Sequence, residues 1–358
     1  MNDTPLAAGV RHDVHRVEAA DSMGLALHLR HAAPAGPARG TVLLVHGATL
    51  ASGLWDIQVP GYSVLEALAA AGFSAWAVDI RGYARSARLQ APATAYAGRE
   101  EAVRDIAAAL AHARRHDQVE QAVLVGGSWG SITSALLASR DATGIAGLAL
   151  MAPLHAAVNE LWLADLADPA DRSRMRTSLG ATRFVNREQL LARWDREIPA
   201  GRHAARREAE VLEALLADAL TCEPGLAPHT FTVPNGTLHD LFEVFSGRPL
   251  YPAAALRMPV LLVRGEHDAT STHADAQRLF ESIASPDKQY LQIGDAGHFV
   301  CAERRADEFQ RALIDFAARV LAGTPGAPAD HSGGSRTGRP ACRQAVPPTR
   351  SSVDPKPV

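Results

Sequence analysis

Short runs of apolar residues recur along the chain at the length of buried strands. Residues 40–47 read GTVLLVHG, in which VLLV is continuously apolar, and residues 73–80, 121–127, 145–152, 258–265 and 288–295 are further strand candidates. A continuously apolar strand is typical of a parallel sheet that is covered on both faces. These runs therefore predict the strands of one buried, mostly parallel sheet.

Helical patterns separate the predicted strands. Residues 98–117 have apolar positions at helical spacing and acids in the first turn, and residues 62–72, 129–140, 273–284 and 305–322 follow the same pattern. Strands that alternate with helices predict a doubly wound α/β fold. The first two strand candidates, 12–19 and 24–32, flank a turn-like segment and predict an antiparallel hairpin at one edge of the sheet.

The alternation stops between residues 153 and 252, where we predict no buried strand. Residues 157–167, 187–198 and 205–220 look helical. Ligands in such folds bind at the carboxyl ends of the strands, where this insertion emerges, so we interpret it as a helical cap or lid rather than as a helical decoration without function. The predicted division is an α/β core in two parts, 10–152 and 253–322, a lid at 153–252 and a tail at 323–358. The tail is rich in Pro, Gly and Ser, and we expect it to be disordered.

The composition indicates which partners, disulfides and cellular location to expect. The formal net charge is −3, and charged residues make up 21% of the chain, so we expect neither a nucleic-acid nor a membrane partner. The composition carries no signal for an oligomeric state. Cys222, Cys301 and Cys342 are too few and too scattered for a disulfide framework. The first residues lack a basic segment followed by an apolar one, and no apolar run approaches the roughly 20 residues of a membrane span. We therefore expect a cytoplasmic protein.

Residues 125–133 read VGGSWGSIT, a G-x-S-x-G pattern that follows the apolar run 122–125. A turn is the simple interpretation, because Gly and Ser are common turn residues. Between a strand and a helix, the same pattern is typical of a nucleophile elbow, in which a sharp bend exposes the serine hydroxyl. A helix is predicted to begin at Trp129, so Ser128 is our candidate nucleophile.

A serine nucleophile needs a base, and the base needs an acid to orient it. The segment DAGHFV places His298 after the last predicted strand, and we predict His298 as the base. We predict Asp268 as the acid, because it lies far enough beyond its strand for a loop to carry its carboxylate to His298. Glu266 is the reserve candidate. Asp295 is a third candidate that would have to fold back onto its own loop.

The negative charge that develops on the substrate oxygen needs backbone donors. One predicted donor is the N–H of Trp129, the residue after the nucleophile. The other is expected in the loop HGATLASGLW, where Ala48 is the best placed residue and Thr49 is the next. His46, at the start of this loop, is a candidate second base, but we favour a role in which it braces the loop through hydrogen bonds.

Five short motifs carry a resemblance to a known family. HGAT (46–49), DIRGYARS (79–86), GGSWG (126–130), GEHD (265–268) and GHF (297–299) occur in the order and approximate spacing of the α/β-hydrolase superfamily, which the chain resembles over about residues 14–322. The resemblance implies that Ser128, Asp268 and His298 form a catalytic triad and that the insertion is the lid. It implies no metal ion and no organic cofactor.

The same motifs suggest the substrate class. GGSWG also resembles the elbow of proline iminopeptidases, but those enzymes usually carry an HGGPG-type oxyanion loop. HGAT resembles instead the loop of esterases and carbon–carbon bond hydrolases. We therefore predict a serine hydrolase that cleaves a small or medium carboxylic ester. The alternatives are an amide or peptide hydrolase similar to proline iminopeptidases, a carbon–carbon bond hydrolase on the same triad, and a non-catalytic ligand-binding member of the fold.

The predicted lid contains side chains that could contact substrate. Its acids Glu160, Asp165 and Glu197 could hold the cation of a peptidase substrate, but acids on amphipathic helices usually face solvent. Six aromatic residues are candidate cavity walls, although core packing is the more common role for each of them. These six are Trp162, Phe184, Trp194, Phe231, Phe242 and Phe245.

Overall fold

A computed structural model describes residues 9–21, 23–222 and 230–322, and of Ser178 only the backbone. The predicted tail at 323–358 lies outside the described residues. The strands are β1 (Val10–Glu18), β2 (Ala26–Pro34), β3 (Thr41–Val45), β4 (Ser74–Asp79), β5 (Ala122–Gly127), β6 (Ile145–Met151), β7 (Thr182–Asn186), β8 (Thr230–Pro234), β9 (Val260–Gly265) and β10 (Lys288–Ile293).

The α-helices lie between and after these strands. They are α1 (Val64–Ala70), α2 (Arg99–Asp117), α3 (Trp129–Arg140), α4 (Glu160–Leu166), α5 (Arg187–Asp195), α6 (His203–Arg206), α7 (Ala209–Leu220), α8 (Gly236–Phe245), α9 (His273–Ser282) and α10 (Ala306–Leu321). A short 3₁₀ helix, Ser52–Trp55, follows the loop after β3.

Eight strands form one sheet in the order β1-β2-β4-β3-β5-β6-β9-β10. The pairs β1–β2 and β2–β4 are antiparallel, and the other neighbours are parallel. Every residue of β3, β4, β5 and β9 is buried, as their apolar sequences require in a sheet covered on both faces. The predicted fold class is confirmed, with the leading hairpin as its antiparallel edge.

The segment between β6 and β9 contains more than the sequence predicted. Helices α4, α5 and α7 lie where helical patterns occur, but β7 and β8 also pair there as a two-stranded antiparallel sheet. The sequence predicted no buried strand in this region, and the structure adds two short, partly buried strands there. Each strand has only five residues, and its partner lies more than forty residues away, so no local hairpin signal marks the pair. Helix α8 was also not predicted.

The sheet brings several loops together at one edge. The loops after β3, β5, β9 and β10 all leave the carboxyl ends of parallel strands, which are neighbours or near neighbours in the sheet. Such an edge is where α/β folds bind their ligands. In residues 9–21, 23–222 and 230–322, no helix has the length and apolar character needed to cross a membrane.

Candidate active site

Ser128 lies on a sharp bend between β5 and α3. Its φ is +54°, a left-handed conformation that costs a non-glycine residue about 1–3 kcal/mol. The bend is held by hydrogen bonds. The Ser128 N–H donates to the Met151 carbonyl at 2.8 Å, and the Ser128 carbonyl accepts from the Ser131 N–H at 2.8 Å. The backbone therefore fixes the position from which the Ser128 hydroxyl projects.

The two glycines that flank this serine allow the strand, the helix and the β3 loop to come close together. A Cβ added to Gly126 would lie 2.2 Å from the carbonyl oxygen of Gly130. A Cβ added to Gly130 would lie 2.4 Å from the carbonyl oxygen of His46. Neither position has room for a side chain, which is the physical reason for the G-x-S-x-G spacing at this bend.

The structure brings Ser128, His298 and Asp268 together. The Nε2 atom of His298 lies 2.9 Å from Ser128 Oγ, and its Nδ1 lies 3.0 and 2.9 Å from the two carboxylate oxygens of Asp268. His298 comes from the loop after β10 and Asp268 from the loop after β9. This is the hydrogen-bonded order that nucleophile, base and orienting acid require.

The two alternative acids lie elsewhere. Glu266 is 46% exposed at its side chain, and its Oε2 accepts a hydrogen bond from the Asp295 N–H at 3.0 Å. The Asp295 carboxylate is paired with Arg206, with 3.0 Å between Nη2 and Oδ1. Neither carboxylate is a hydrogen-bond partner of His298 among the described residues.

The Asp268 carboxylate is buried and fully hydrogen-bonded. Its Oδ1 accepts from the N–H groups of Thr270 at 2.9 Å and Ser271 at 2.8 Å. Burial alone would raise the pKa of Asp268, but the adjacent His298 and the Ser271 N–H outweigh it and hold that pKa below its usual value. Asp268 is therefore ionised at neutral pH and can accept the Nδ1 proton of His298.

The loop after β3 approaches Ser128 closely. A Cβ added to Gly47 would lie 3.3 Å from the Ser128 Cβ, and Gly47, Ala48 and Thr49 line the same cavity as Ser128. The N–H of Trp129 is the first of α3, so it has no carbonyl partner within the helix. The predicted donors, Ala48 and Trp129, thus lie on the two segments that flank Ser128.

His46 braces this loop. Its Nε2 accepts the Ile80 N–H at 3.1 Å, so the ring proton is on Nδ1, which donates to the Gly47 carbonyl at 2.7 Å. Complete burial lowers the pKa of His46, which keeps the ring neutral. The Gly47 carbonyl belongs to the same peptide group as the Ala48 N–H, so His46 orients the predicted donor. This geometry matches the bracing role favoured from the sequence.

A second set of contacts holds the Ala48 carbonyl. The Tyr83 hydroxyl donates to this oxygen at 2.9 Å, and Arg183 of β7 donates to it through Nη2 at 2.6 Å. Arg183 also donates to Asn235 Oδ1 at 2.9 Å, and burial lowers the pKa of its guanidinium. Sequence analysis missed Arg183, because an arginine in a five-residue strand carries no local signal of its position.

Another hydrogen-bond network, centred on Thr270, lies beside Asp268. Thr270 Oγ1 donates to Glu197 Oε1 at 2.7 Å and accepts from Arg193 at 2.7 Å and from Trp162 Nε1 at 3.0 Å. Glu197 also pairs directly with Arg193 at 2.7 Å, and only 2% of its side chain is exposed. The expectation that Glu197 faces solvent was therefore wrong, because Arg193 and Thr270 pair with its buried carboxylate.

Ser128 and His298 open into a cavity of about 270 Å³. Of the six candidate lid aromatics, Trp162 and Phe184 line this cavity, whereas the other four do not. Two cations, Arg183 and Arg193, also reach it. The apolar lining residues are Leu50, Leu54, Met151, Val185, Leu190, Leu238, Leu241 and Phe299.

Comparison with known proteins agrees with this architecture. The family model described as "Serine aminopeptidase, S33" matches residues 36–305. No curated protein sequence matches the chain significantly.

Solved structures give the same fold. An enol-lactonase from Burkholderia xenovorans is 22% identical with a TM-score of 0.59, over 84% of this chain and 99% of its own. A thermophilic esterase from Thermogutta terrifontis is 19% identical with a TM-score of 0.56, over 86% and 99%. Epoxide hydrolase A from Mycobacterium thermoresistibile is 20% identical with a TM-score of 0.59, over 88% and 99%. At these identities the similarity shows a shared fold.

Proposed function

Because the chain belongs to the serine aminopeptidase S33 family of α/β-hydrolases, and so is a hydrolase, we propose that it cleaves carboxylic esters through an acyl-enzyme on Ser128. The observation that carries this proposal is the hydrogen-bonded chain Ser128–His298–Asp268, which opens into a largely apolar cavity of about 270 Å³. The predicted roles of these three residues are part of the proposal.

The proposed reaction uses each of these hydrogen bonds. His298 Nε2 removes the Ser128 proton as Oγ attacks the ester carbonyl, and Asp268 stabilises the imidazolium that results. The N–H groups of Ala48 and Trp129 donate to the oxyanion. His298 then protonates the departing alkoxide, which leaves an acyl group on Ser128. Water, deprotonated by the same imidazole, attacks this acyl group and regenerates the enzyme with release of the acid.

The cavity supports a small or medium acyl group. Its volume of about 270 Å³ lies just below the roughly 300–1,000 Å³ that is typical of small-molecule sites. Apolar side chains form most of its wall. We propose that the insertion at 153–252 acts as the lid over this cavity and contributes Trp162, Phe184 and Leu190 to the acyl site. The cytoplasmic location expected from the sequence stays a prediction.

The charges around the cavity argue against an aminopeptidase. An enzyme that removes an N-terminal residue must hold a cationic amino group, which calls for a carboxylate in the cavity. Among the described residues that line it, none is Asp or Glu, and the two charged side chains are Arg183 and Arg193. Of the lid acids, Glu197 is paired with Arg193, and Glu160 and Asp165 have side chains 70% and 66% exposed.

A probe and a substrate series test the proposal together. A fluorophosphonate probe should label the wild type but not Ser128→Ala. It should also label Ser139→Ala, the matched control, because Ser139 lies near the far end of helix α3, which begins after Ser128. Turnover of p-nitrophenyl esters should be efficient for short acyl chains and fall as the acyl chain outgrows the cavity. Labelling at Ser128 without ester turnover would overturn the esterase assignment. Equal labelling of Ser128→Ala would overturn the nucleophile.

A further inference from the structure

Four histidines gather on one face of the antiparallel edge of the sheet, away from the catalytic loops. His15 lies on β1 and His31 on β2, and His112 and His116 are four residues apart on α2. The neighbouring residue Ser74 begins β4, so the cluster lies at the amino ends of the parallel strands, opposite the edge that carries Ser128. The proposed ester hydrolysis uses none of these histidines.

Three of these rings face one another. The ring centroids of His15 and His116 are 5.0 Å apart, those of His31 and His116 are 5.1 Å apart, and those of His15 and His31 are 5.6 Å apart. One ligand nitrogen from each of the three rings lies within 4.8 Å of the other two. Zinc binds imidazole nitrogens at about 2.0–2.1 Å in a tetrahedron, which sets them about 3.4 Å apart. Modest side-chain rotations therefore bring the three nitrogens onto one ion.

The hydrogen bonds leave one nitrogen of each ring available. His31 Nε2 is 2.8 Å from Ser74 Oγ, His116 Nδ1 is 2.8 Å from Asp117 Oδ1, and His15 Nδ1 is 3.2 Å from His112 Nε2. The other nitrogen of His31, Nδ1, is buried and has no hydrogen-bond partner among the described residues. A buried imidazole nitrogen without a partner, on a ring that lies against two other imidazoles, is the feature that a bound cation would explain.

The residues around the cluster resemble the outer shell of a metal site. Asp117 holds the His116 ring and is itself fixed by the Thr41 hydroxyl at 2.7 Å and the Trp76 indole N–H at 3.0 Å. Trp76 stacks on His31 with ring centroids 3.8 Å apart. Metal-binding histidines commonly donate their second N–H to a carboxylate that fixes the ring in this way.

A carboxylate and a cavity lie beside the three rings. Asp13, which pairs with His31 across the two strands, has its Oδ2 at 3.9 Å from His31 Nδ1. A cavity of about 360 Å³ lined by His31, His116 and Asp117 connects the cluster with solvent.

We propose that His15, His31 and His116 bind one zinc ion, with the Asp13 carboxylate as the fourth ligand. Three imidazoles and a carboxylate are a donor set that zinc prefers over magnesium or calcium. The ion would link the β1–β2 hairpin to the end of α2, so its effect is expected on stability. This site is independent of the proposed esterase activity.

Zinc binding to the full chain without a polyhistidine tag tests this proposal. After removal of metals with a chelator, calorimetric titration with zinc chloride should give one ion per chain with a Kd of about 10 μM or tighter. Zinc should also raise the unfolding midpoint by at least about 3 °C, and magnesium chloride should not. The absence of stoichiometric binding would overturn the proposal.

Variants separate this cluster from other histidines. His116→Gln and His15→Gln should each weaken zinc binding at least about tenfold and abolish the shift in the unfolding midpoint. His12→Gln is the matched control, because His12 lies on the same strand but pairs with Glu66 at 3.5 Å, and it should bind zinc as the wild type does. His116 is exposed, so its variant decides the outcome even if His15→Gln fails to fold. Unchanged binding in His116→Gln, or an equal loss in His12→Gln, would refute the site.

Discussion

Replacement of Asp268 by Asn tests the proposed triad most directly, because the surrounding donors fix how the new amide must lie. Oδ1 accepts the N–H groups of Thr270 and Ser271, so an asparagine keeps its carbonyl oxygen there. Its NH₂ group then takes the place of Oδ2, which lies 2.9 Å from His298 Nδ1. The amide NH₂ group repels an Nδ1 proton across this contact, and Oδ1, which lies 3.0 Å from Nδ1, already accepts two backbone N–H groups. The tautomer of His298 with its proton on Nε2 is therefore favoured.

This tautomer disables the base. With a proton on Nε2, His298 cannot accept the Ser128 proton across the 2.9 Å contact. The same exchange in a serine protease lowers kcat by about 10⁴-fold. We expect Asp268→Asn to lower kcat/KM for a short p-nitrophenyl ester by about 10³–10⁴-fold, which corresponds to about 4–5.5 kcal/mol of transition-state stabilisation. The loss should be in kcat, because the cavity wall is unchanged.

The assay needs a control for folding and a control for charge. The unfolding midpoint of Asp268→Asn should stay within about 5 °C of the wild type, since both backbone hydrogen bonds to Oδ1 remain. Glu266→Gln makes the same chemical change two residues away on an exposed side chain, and it should retain activity within about threefold. An Asp268→Asn variant within tenfold of the wild type would refute the reasoning. If Glu266→Gln loses activity and Asp268→Asn keeps it, the acid of the triad is misassigned.

Three further predictions concern the nucleophile, the substrate and the pH dependence of stability. Ser128→Ala should lower kcat at least about 10⁴-fold with an unchanged circular dichroism spectrum, and near wild-type turnover would remove Ser128 from its role. The kcat/KM for a short p-nitrophenyl ester should exceed that for proline p-nitroanilide at least about a hundredfold. The control substrate, alanine p-nitroanilide, should have a kcat/KM no lower than that of the proline substrate. A clear preference for proline over alanine would favour the iminopeptidase alternative. Burial lowers the pKa of His28 to about 4 from 6.5, so the unfolded chain binds more protons between these values and stability should fall as the pH drops from about 6.5 to 4. In thermal unfolding, the free energy of unfolding of His28→Gln should fall by about 1–2 kcal/mol less than that of the wild type over this pH interval, after allowance for solvent screening. Identical pH profiles of the two proteins would contradict the role given to His28.

The sequence by itself determined the parallel core and the residues of the candidate triad. Continuously apolar segments are typical of a parallel sheet covered on both faces, and all of them are strands of that sheet. The bend at Ser128 could be predicted because its pattern is local. A strand, a serine between two glycines and a helix follow one another directly in the sequence. Asp268 and His298 were predictable because each follows a recognisable strand, and strand ends of a parallel sheet meet at one edge.

Only the tertiary structure decided which charged groups lie at the cavity and what covers it. Arg183 reaches the Ala48 carbonyl because β7 pairs with β8, a contact between segments more than forty residues apart that no local pattern encodes. Glu197 is buried because Arg193 and Thr270 meet it there, although its neighbours in sequence suggest a solvent-exposed helix. Likewise, the histidines of β1, β2 and α2 are unremarkable in sequence and converge only when the hairpin packs on the helix. Side-chain pairing across distant segments depends on the packed geometry, and a one-dimensional pattern contains no distances.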